Sequence, residues 1–314
     1  MRQIRIETAT HTSPALCFRP VTSDCVGVLR RQFEQTCSQS CDYTAGGIII
    51  WTPLFNYSYA IHQNTLFIKG LNQDGSGNTA FLYPAGDMPP QRKIELIRSY
   101  CRIENINPVL TAVPQDRLSE IEHACHCSTT ELSDMADYIY NAESLATLTG
   151  KAYNKKRNHV NRFMAENPAF SLEDISVANL EELRLFLEGL GIESEKADMQ
   201  MAEFEWQRCA YVLDRYGTLD FEGAILRDNA GRIVAFTIGE VYGNTLVLHI
   251  EKCEHLTAGA GETINKLFAE RILKRHPAVR WINREDDAGD EGLRKAKMSY
   301  HPAFLLKKYN VEIL

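Results

Sequence analysis

The chain has 314 residues, of which 44% are hydrophobic and 24% charged, with a formal net charge of -7. This length suits two domains, and the balance is that of a folded globular protein. The net acidity argues against general nucleic-acid binding and leaves only local basic patches for such contact. No apolar run approaches the roughly 20 residues of a membrane helix, and the start M-R-Q-I-R-I-E-T lacks the apolar centre of a signal peptide. A cytoplasmic protein with no integral membrane segment is therefore expected.

Ile4 and Ile6 alternate with charges and predict a short lead-in strand. Thr22-Ser23-Asp24 offers N-cap chemistry ahead of Val26, Leu29, Arg30 and Phe33 at helical spacing. The run Gly46-Gly47-Ile48-Ile49-Ile50-Trp51 reads as a strand. It opens a meander with strands over 57–61, 65–69 and 80–83. The glycine-rich stretch 74–78 precedes a strand, so it predicts a hairpin tip; a phosphate loop should open a helix. A helix follows Pro89-Pro90 to about Glu104, then a strand over 109–113 and a helix from Pro114 to His126. The nine cysteines are odd in number and irregular in spacing, so free thiols are expected. His123, Cys125, His126 and Cys127 cluster, but no distant second pair of ligands accompanies them, and no metal site is assigned.

A strand over 138–140 and a helix over 142–148 begin a second unit, which divides the chain into domains 1–134 and 135–314. On the following helix Tyr153, Val160, Phe163 and Met164 share a face. Lys155, Lys156 and Arg157 form the strongest basic cluster in an acidic chain. They suit either a solvated helix face or a surface for phosphate groups. A strand over 170–177 and helices over 179–190 and 196–216 come next. Strands at 221–227, 232–242 and 245–252 form a clear meander, with Gly243-Asn244 as a hairpin turn. Ala258-Gly259-Ala260-Gly261 opens a helix to His276, and a strand over 279–283 follows. Each half thus shows antiparallel strands, helix, strand, helix. Gly259 and Gly261 place backbone amides at a helix N-terminus, a favourable position for an anion.

The stretch after that strand carries Glu285, Asp286, Asp287, Asp290 and Glu291 in a loop, then a short basic helix stopped by Pro302. A helical wheel puts Leu293, Ala296 and Tyr300 on one face with Lys297 beside them. Lys297 fits either a structural ion pair or the wall of an anion-holding cleft.

Three strands, a Gly-x-Gly helix start and a further strand form the core order of the Gcn5-related N-acyltransferase fold. The segments K-A-Y-N-K-K-R-N-H-V-N-R-F (151–163), H-I-E-K (249–252) and N-R-E-D-D-A-G-D-E-G-L-R-K-A-K-M-S-Y-H-P (283–302) resemble a bacterial family related to the C-terminal domain of phosphatidylglycerol lysyltransferase. That family is similar to the Fem peptidyltransferases. The resemblance implies an α+β fold of two tandem acyltransferase-like domains, each a mostly antiparallel sheet flanked by helices, with the site in the second. It implies transfer of an acyl or aminoacyl group, from aminoacyl-tRNA or a coenzyme A thioester, to an amine or hydroxyl acceptor, with no tightly bound cofactor. The acceptor class spans small molecules, peptides and lipid headgroups. Glu254-His255-Leu256-Thr257 replaces the Arg/Gln-rich lead-in of acetyl-coenzyme A enzymes, which puts coenzyme A in doubt.

Such chemistry needs a general base, an oxyanion donor and phosphate contacts. Glu240 and Glu251 at the ends of neighbouring strands are the candidate bases, and Lys297 and Arg284 the candidate cations. Lys155, Lys156, Arg157 and the amides of Gly259 and Gly261 are assigned to the donor. His249, Asn283, Tyr300 and His301 form a second tier, His249 sharing a strand face with Glu251. The competing expectation is a catalytically silent tandem module that binds tRNA, a nucleotide or a protein partner in the same cleft.

Overall fold

The computed structural model describes residues 15–36, 38–192 and 199–314. The lead-in strand at Ile4 and Ile6 and the start of the 196–216 helix lie outside the described residues. In chain order the first half contains β1 (Arg19–Pro20), α1 (Val26–Glu34), α2 (Ala45–Phe55), β2 (Ser58–His62), β3 (Thr65–Leu71), β4 (Thr79–Phe81), α3 (Pro90–Glu104), β5 (Val109–Pro114), α4 (Leu118–Ala124) and β6 (Cys127–Glu131). There follow β7 (Asp137–Asn141), α5 (Ala142–Thr147), α6 (Asn154–Glu166), β8 (Ser171–Asp174), α7 (Leu180–Ile192) and α8 (Met199–Asp214). The chain closes with β9 (Glu222–Arg227), β10 (Ile233–Tyr242), β11 (Thr245–Cys253), α9 (Ala260–Arg275), β12 (Trp281–Asn283), α10 (Glu291–Met298), β13 (Phe304–Leu306) and β14 (Lys308–Ile313).

The strands make two seven-stranded sheets, ordered β1-β2-β3-β4-β5-β14-β6 and β13-β7-β12-β11-β10-β9-β8. Each sheet repeats one pattern. Three antiparallel strands (β2-β3-β4, β9-β10-β11) lead through a helix (α3, α9) to a strand parallel to the third (β5, β12). The shared element order of the two halves is therefore a shared topology. The two halves also trade chain. β14, at the C-terminus, inserts between β5 and β6 of the first sheet. A division at 134/135 thus places β14 with the wrong sheet: the last strand completes the N-terminal half.

The strand expected over 46–51 is instead the helix α2. The side chain of Thr44 caps it, accepting from the Gly47 N–H at 3.0 Å, and Asn56 ends it in the left-handed conformation. A run of four to eight apolar residues cannot be told from a buried helix by periodicity. The first turns of α2, Ala45 to Ile50, are apolar on every face because they are buried on every face. Ile48 and Ile49 pack into the core of the first half, and Ile50 packs with Ile225, Phe236 and Ile238 of the second.

Candidate active site at the splay between β11 and β12

β11 and β12 are partners over three residue pairs, Thr245 to Val247 against Trp281 to Asn283. β12 then ends, while β11 runs on to Cys253. Beyond Val247 the β11 side chains face the loop 284–287 instead of a strand. Two charged pairs cross this gap. His249 Nδ1 lies 2.7 Å from Glu285 Oε1, and Arg284 Nη2 donates to Glu251 Oε1 at 2.7 Å.

The inner pair extends into a buried relay. His249 Nε2 lies 2.8 Å from Glu240 Oε1, which also accepts the Gly46 N–H at 2.8 Å, while Arg30 Nη2 reaches Glu240 Oε2 at 3.3 Å. Glu240 comes from β10 and Gly46 from the first turn of α2, so the carboxylate joins the two halves at a helix N-terminus, where negative charge is favoured. A Cβ on Gly46 would fall 2.5 Å from Glu240 Oε1 and 2.4 Å from the Phe221 ring, so glycine is required for this approach. Burial opposes charge on His249, yet the two flanking carboxylates outweigh it and raise its pKa to about 9. Burial likewise opposes charge on Glu240 and Glu285, but the imidazolium between them holds both below the ordinary glutamate range. The result is a cation clamped by two anions, fully engaged in holding the halves together. Glu240 is therefore not available as the base expected from the sequence: its side chain has no accessible surface and its oxygens are occupied.

The outer pair is different. Glu251 keeps 20% and Arg284 13% of their side-chain surface accessible. Glu251 also accepts from Asn265 Nδ2 at 3.1 Å. Burial opposes the charge of Arg284, but Glu251 overcomes this and holds its pKa above the ordinary value. The guanidinium lies 4.8 Å from the Tyr300 ring centroid, and the opposite cation, Lys156, lies 3.9 Å from that same centroid. Nη1 of Arg284 is buried and has no partner among the described residues. The arrangement presents a carboxylate and an unused guanidinium donor side by side.

The remaining sequence candidates divide clearly. Lys297 is buried, and its ammonium donates to the main-chain carbonyls of Arg284 (2.6 Å) and Asp286, so it fastens the loop and is not free for an oxyanion. The α10 wheel is also rotated from expectation: Lys297 and Tyr300 are buried whereas Leu293 is 41% exposed, because the helix packs on the polar loop 284–287. In that loop Asp287 pairs with Arg294 at 2.9 Å and Asp290 caps α10 through the Leu293 N–H at 2.6 Å. Asn283 is buried and bridges Gln39 O (2.7 Å) and Asp137 (2.8 Å) between the halves. His301 is exposed, with Nε2 3.2 Å from Ala152 O, away from the splay. Arg157 closes the C-terminal carbonyls of α5, donating to Leu148 O and to Gly150 O at 2.8 Å. Lys155 is exposed on α6.

Gly259 has φ +81, and a Cβ there would lie 2.3 Å from the His159 carbonyl oxygen. It serves close packing of α9 on α6. The first turn of α9 carries its own acid, Glu262, held by Lys156 at 3.4 Å and His159 at 2.9 Å. Gly261 lies in the same turn, its Cβ position 3.3 Å from Cys253 Sγ. The sequence reading missed Glu262, Asn265 and Arg30. A Glu in the first turn of a helix is read as an ordinary dipole partner, and the other two are ordinary helix residues until the fold brings them in.

A second buried ion cluster lies nearby. Lys308 of β14 sits 2.6 Å from Asp42, 2.7 Å from Asp137 and 3.3 Å from Cys41 Sγ. Cys41, Asp137 and Asp286 have metal-like spacing, but the Lys308 ammonium supplies the positive charge there.

The family model described as phosphatidylglycerol lysyltransferase, C-terminal, matches residues 33–312. The chain belongs to this family. A conserved protein of unknown function from Bacteroides thetaiotaomicron is 29% identical, with a TM-score of 0.87 covering 95% of this chain and 100% of that one. An uncharacterised protein from Mycoplasmoides gallisepticum is 25% identical over 179 residues, 57% of this chain and 56% of its own length. The chain thus matches little more than half of that curated relative. The structure of FemX, 8% identical, aligns with a TM-score of 0.59 over 95% of this chain and 97% of its own, which shows a shared fold. The fold of this phosphatidylglycerol lysyltransferase C-terminal family member is α+β with two tandem acyltransferase-like halves. Among the described residues no helix is long and apolar enough to cross a membrane.

Proposed function

We propose that the protein transfers an aminoacyl group from aminoacyl-tRNA to an amine or hydroxyl acceptor at the splay. The observation that carries this reading is the Glu251–Arg284 pair at the splay, with 20% and 13% of the two side chains accessible and one buried guanidinium nitrogen lacking a partner among the described residues. Glu251 takes the proton from the attacking acceptor. The acceptor bonds to the ester carbonyl carbon, and the negative charge that develops on the carbonyl oxygen is met by the Arg284 guanidinium, whose side chain keeps 13% of its surface accessible. Collapse breaks the bond to the ribose oxygen, and the proton held by Glu251 goes to that departing hydroxyl. The Tyr300 ring stacks on the guanidinium and helps hold it in place.

The start of α9 supports the choice of donor. A coenzyme A pyrophosphate at this helix start would face the Glu262 carboxylate, already paired with Lys156 and His159. This favours aminoacyl-tRNA, whose phosphates suit the exposed Lys151 and Lys155 at the start of α6.

The test is transfer of radiolabel from charged tRNA, run beside acetyl-coenzyme A, with phosphatidylglycerol vesicles, peptides and small amines as acceptors. The expected result is transfer from at least one aminoacyl-tRNA that Glu251→Gln abolishes. Absence of transfer from every aminoacyl-tRNA, with tRNA nonetheless bound, would instead favour a silent binding module. Transfer from acetyl-coenzyme A alone would overturn the choice of donor.

A further inference from the structure

A separate cavity of about 350 Å³ lies in the first half, remote in sequence from the splay residues. Its wall includes Tyr43, Tyr83, Lys93, Arg117 and Glu120, with Pro89 and Pro90 at the start of α3. The cavity is held open by its backbone. The loop after β4 is tied down by reciprocal bonds between Leu66 and Ala85, at 2.7 and 3.0 Å. Gly86, at φ +136, passes so close to Asn64 that a Cβ would lie 2.7 Å from its carbonyl oxygen.

Two cations, Lys93 and Arg117, and two carboxylates, Asp87 and Glu120, line this wall, and the pairing among them is uneven. Arg117 is engaged: it donates to Thr36 O at 2.8 Å and lies 3.6 Å from Glu120 and 3.9 Å from Asp116. Glu120 also accepts the Tyr83 hydroxyl at 2.7 Å. Asp87 is exposed and solvated. Lys93 is 5% exposed and, among the described residues, has neither a hydrogen bond nor an ion pair for its ammonium. Its one contact of note is the face of Tyr83, 4.8 Å from the ring centroid. Burial depresses its pKa, and the fields of Glu120 and Asp87 do not make up the difference. The Lys93 ammonium lines the cavity and, among the described residues, no acidic side chain meets it directly. The same cavity faces the N-terminus of the 15-residue helix α3, which has no side-chain cap. The positive end of the helix dipole adds to the charge of Lys93.

We propose that this cavity binds an anionic group of a small molecule, a carboxylate or a phosphate monoester, with the Lys93 ammonium as its counter-charge. The two tyrosine rings and the prolines form an apolar, aromatic wall for the body of the ligand. The site lies in the half not used for acyl transfer above and stands independently of that reading.

The experiment uses the full chain, with inorganic phosphate and succinate as probes and sodium chloride at matched ionic strength as control. Two quantities are read: binding by calorimetry, and the rate at which Lys93 is reductively methylated, followed by mass spectrometry. At saturation at least one probe is expected to slow modification of Lys93 by about tenfold or more, and Lys93→Met is expected to abolish its binding. Protection by phosphate alone assigns a phosphate-bearing ligand, protection by succinate alone a carboxylate, and either result supports the site. If Lys93→Met does not fold, protection in the unaltered protein decides. Unprotected Lys93 in both probes, or undiminished binding by a folded Lys93→Met, overturns the proposal.

Discussion

Replacing Glu240 by glutamine removes one negative charge from the buried relay while keeping its shape. The amide oxygen can still accept the Gly46 N–H, so the change isolates the electrostatic part of the contact. Two cations each lose one of their carboxylate partners: Arg30 at 3.3 Å and His249 at 2.8 Å. Raising the His249 pKa from 6.5 to about 9 corresponds to about 3 kcal/mol at about 1.4 kcal/mol per pH unit, shared between Glu240 and Glu285. Breaking one partner out of a buried pair costs about 3–5 kcal/mol in general. The Glu240 share of the shift is about 2 kcal/mol, and the general cost of a broken buried pair is somewhat larger, so a loss of about 2–4 kcal/mol is expected at neutral pH. The pH dependence has a definite sign. His249 has a folded pKa above its unfolded value, so its contribution is complete below about pH 6.5 and fades as pH rises through about 9. Glu240 and Glu285 are held below 4.5, so their contributions are complete above that value and are lost as pH falls. Urea denaturation from pH 5 to 10 should show Glu240→Gln less stable at neutral pH and flatter toward alkaline pH. Nuclear magnetic resonance of the His249 ring should show its titration moving down from about 9. A loss under about 1 kcal/mol with an unmoved His249 titration would refute the clamp and return Glu240 to the list of catalytic bases.

Glu251→Gln should leave the urea midpoint nearly unchanged, because its pair is partly solvated. It should lower transfer about a hundred- to ten-thousand-fold, the range for loss of a general base. Lys308→Met should cost about 3–5 kcal/mol by urea denaturation, because it leaves Asp42 and Asp137 buried beside each other without their cation. Gly259→Ala should lower thermal stability by about 1–3 kcal/mol or more. The position combines a left-handed backbone with a Cβ that would meet the His159 carbonyl, and calorimetry would measure the loss.

Local pattern in this sequence specified most of the elements. Strands β2, β3, β9, β10 and β11, helices α3 and α9, and the hairpin turn at Gly243-Asn244 follow from alternation, helical spacing and turn chemistry alone. Motif and strand position singled out Arg284 and Glu251 as candidates, and the fold brings the two side chains into contact. Tertiary structure decided what pattern cannot encode. The isoleucine run at 48–50 became a helix because two cores surround it, and length-limited periodicity does not distinguish that from a strand. Glu240 and Glu251 look alike in sequence, each a carboxylate near a strand end. Only the approach of Gly46 and Arg30, about two hundred residues earlier in the chain, turned one into a buried clamp while leaving the other facing the splay. Likewise Lys297 carries the same charge on any wheel, but the carbonyls it meets come from a loop whose path depends on where β12 stops. Charge and spacing define which groups can do chemistry. Burial and the partners brought by distant segments determine which of them remain free to do it.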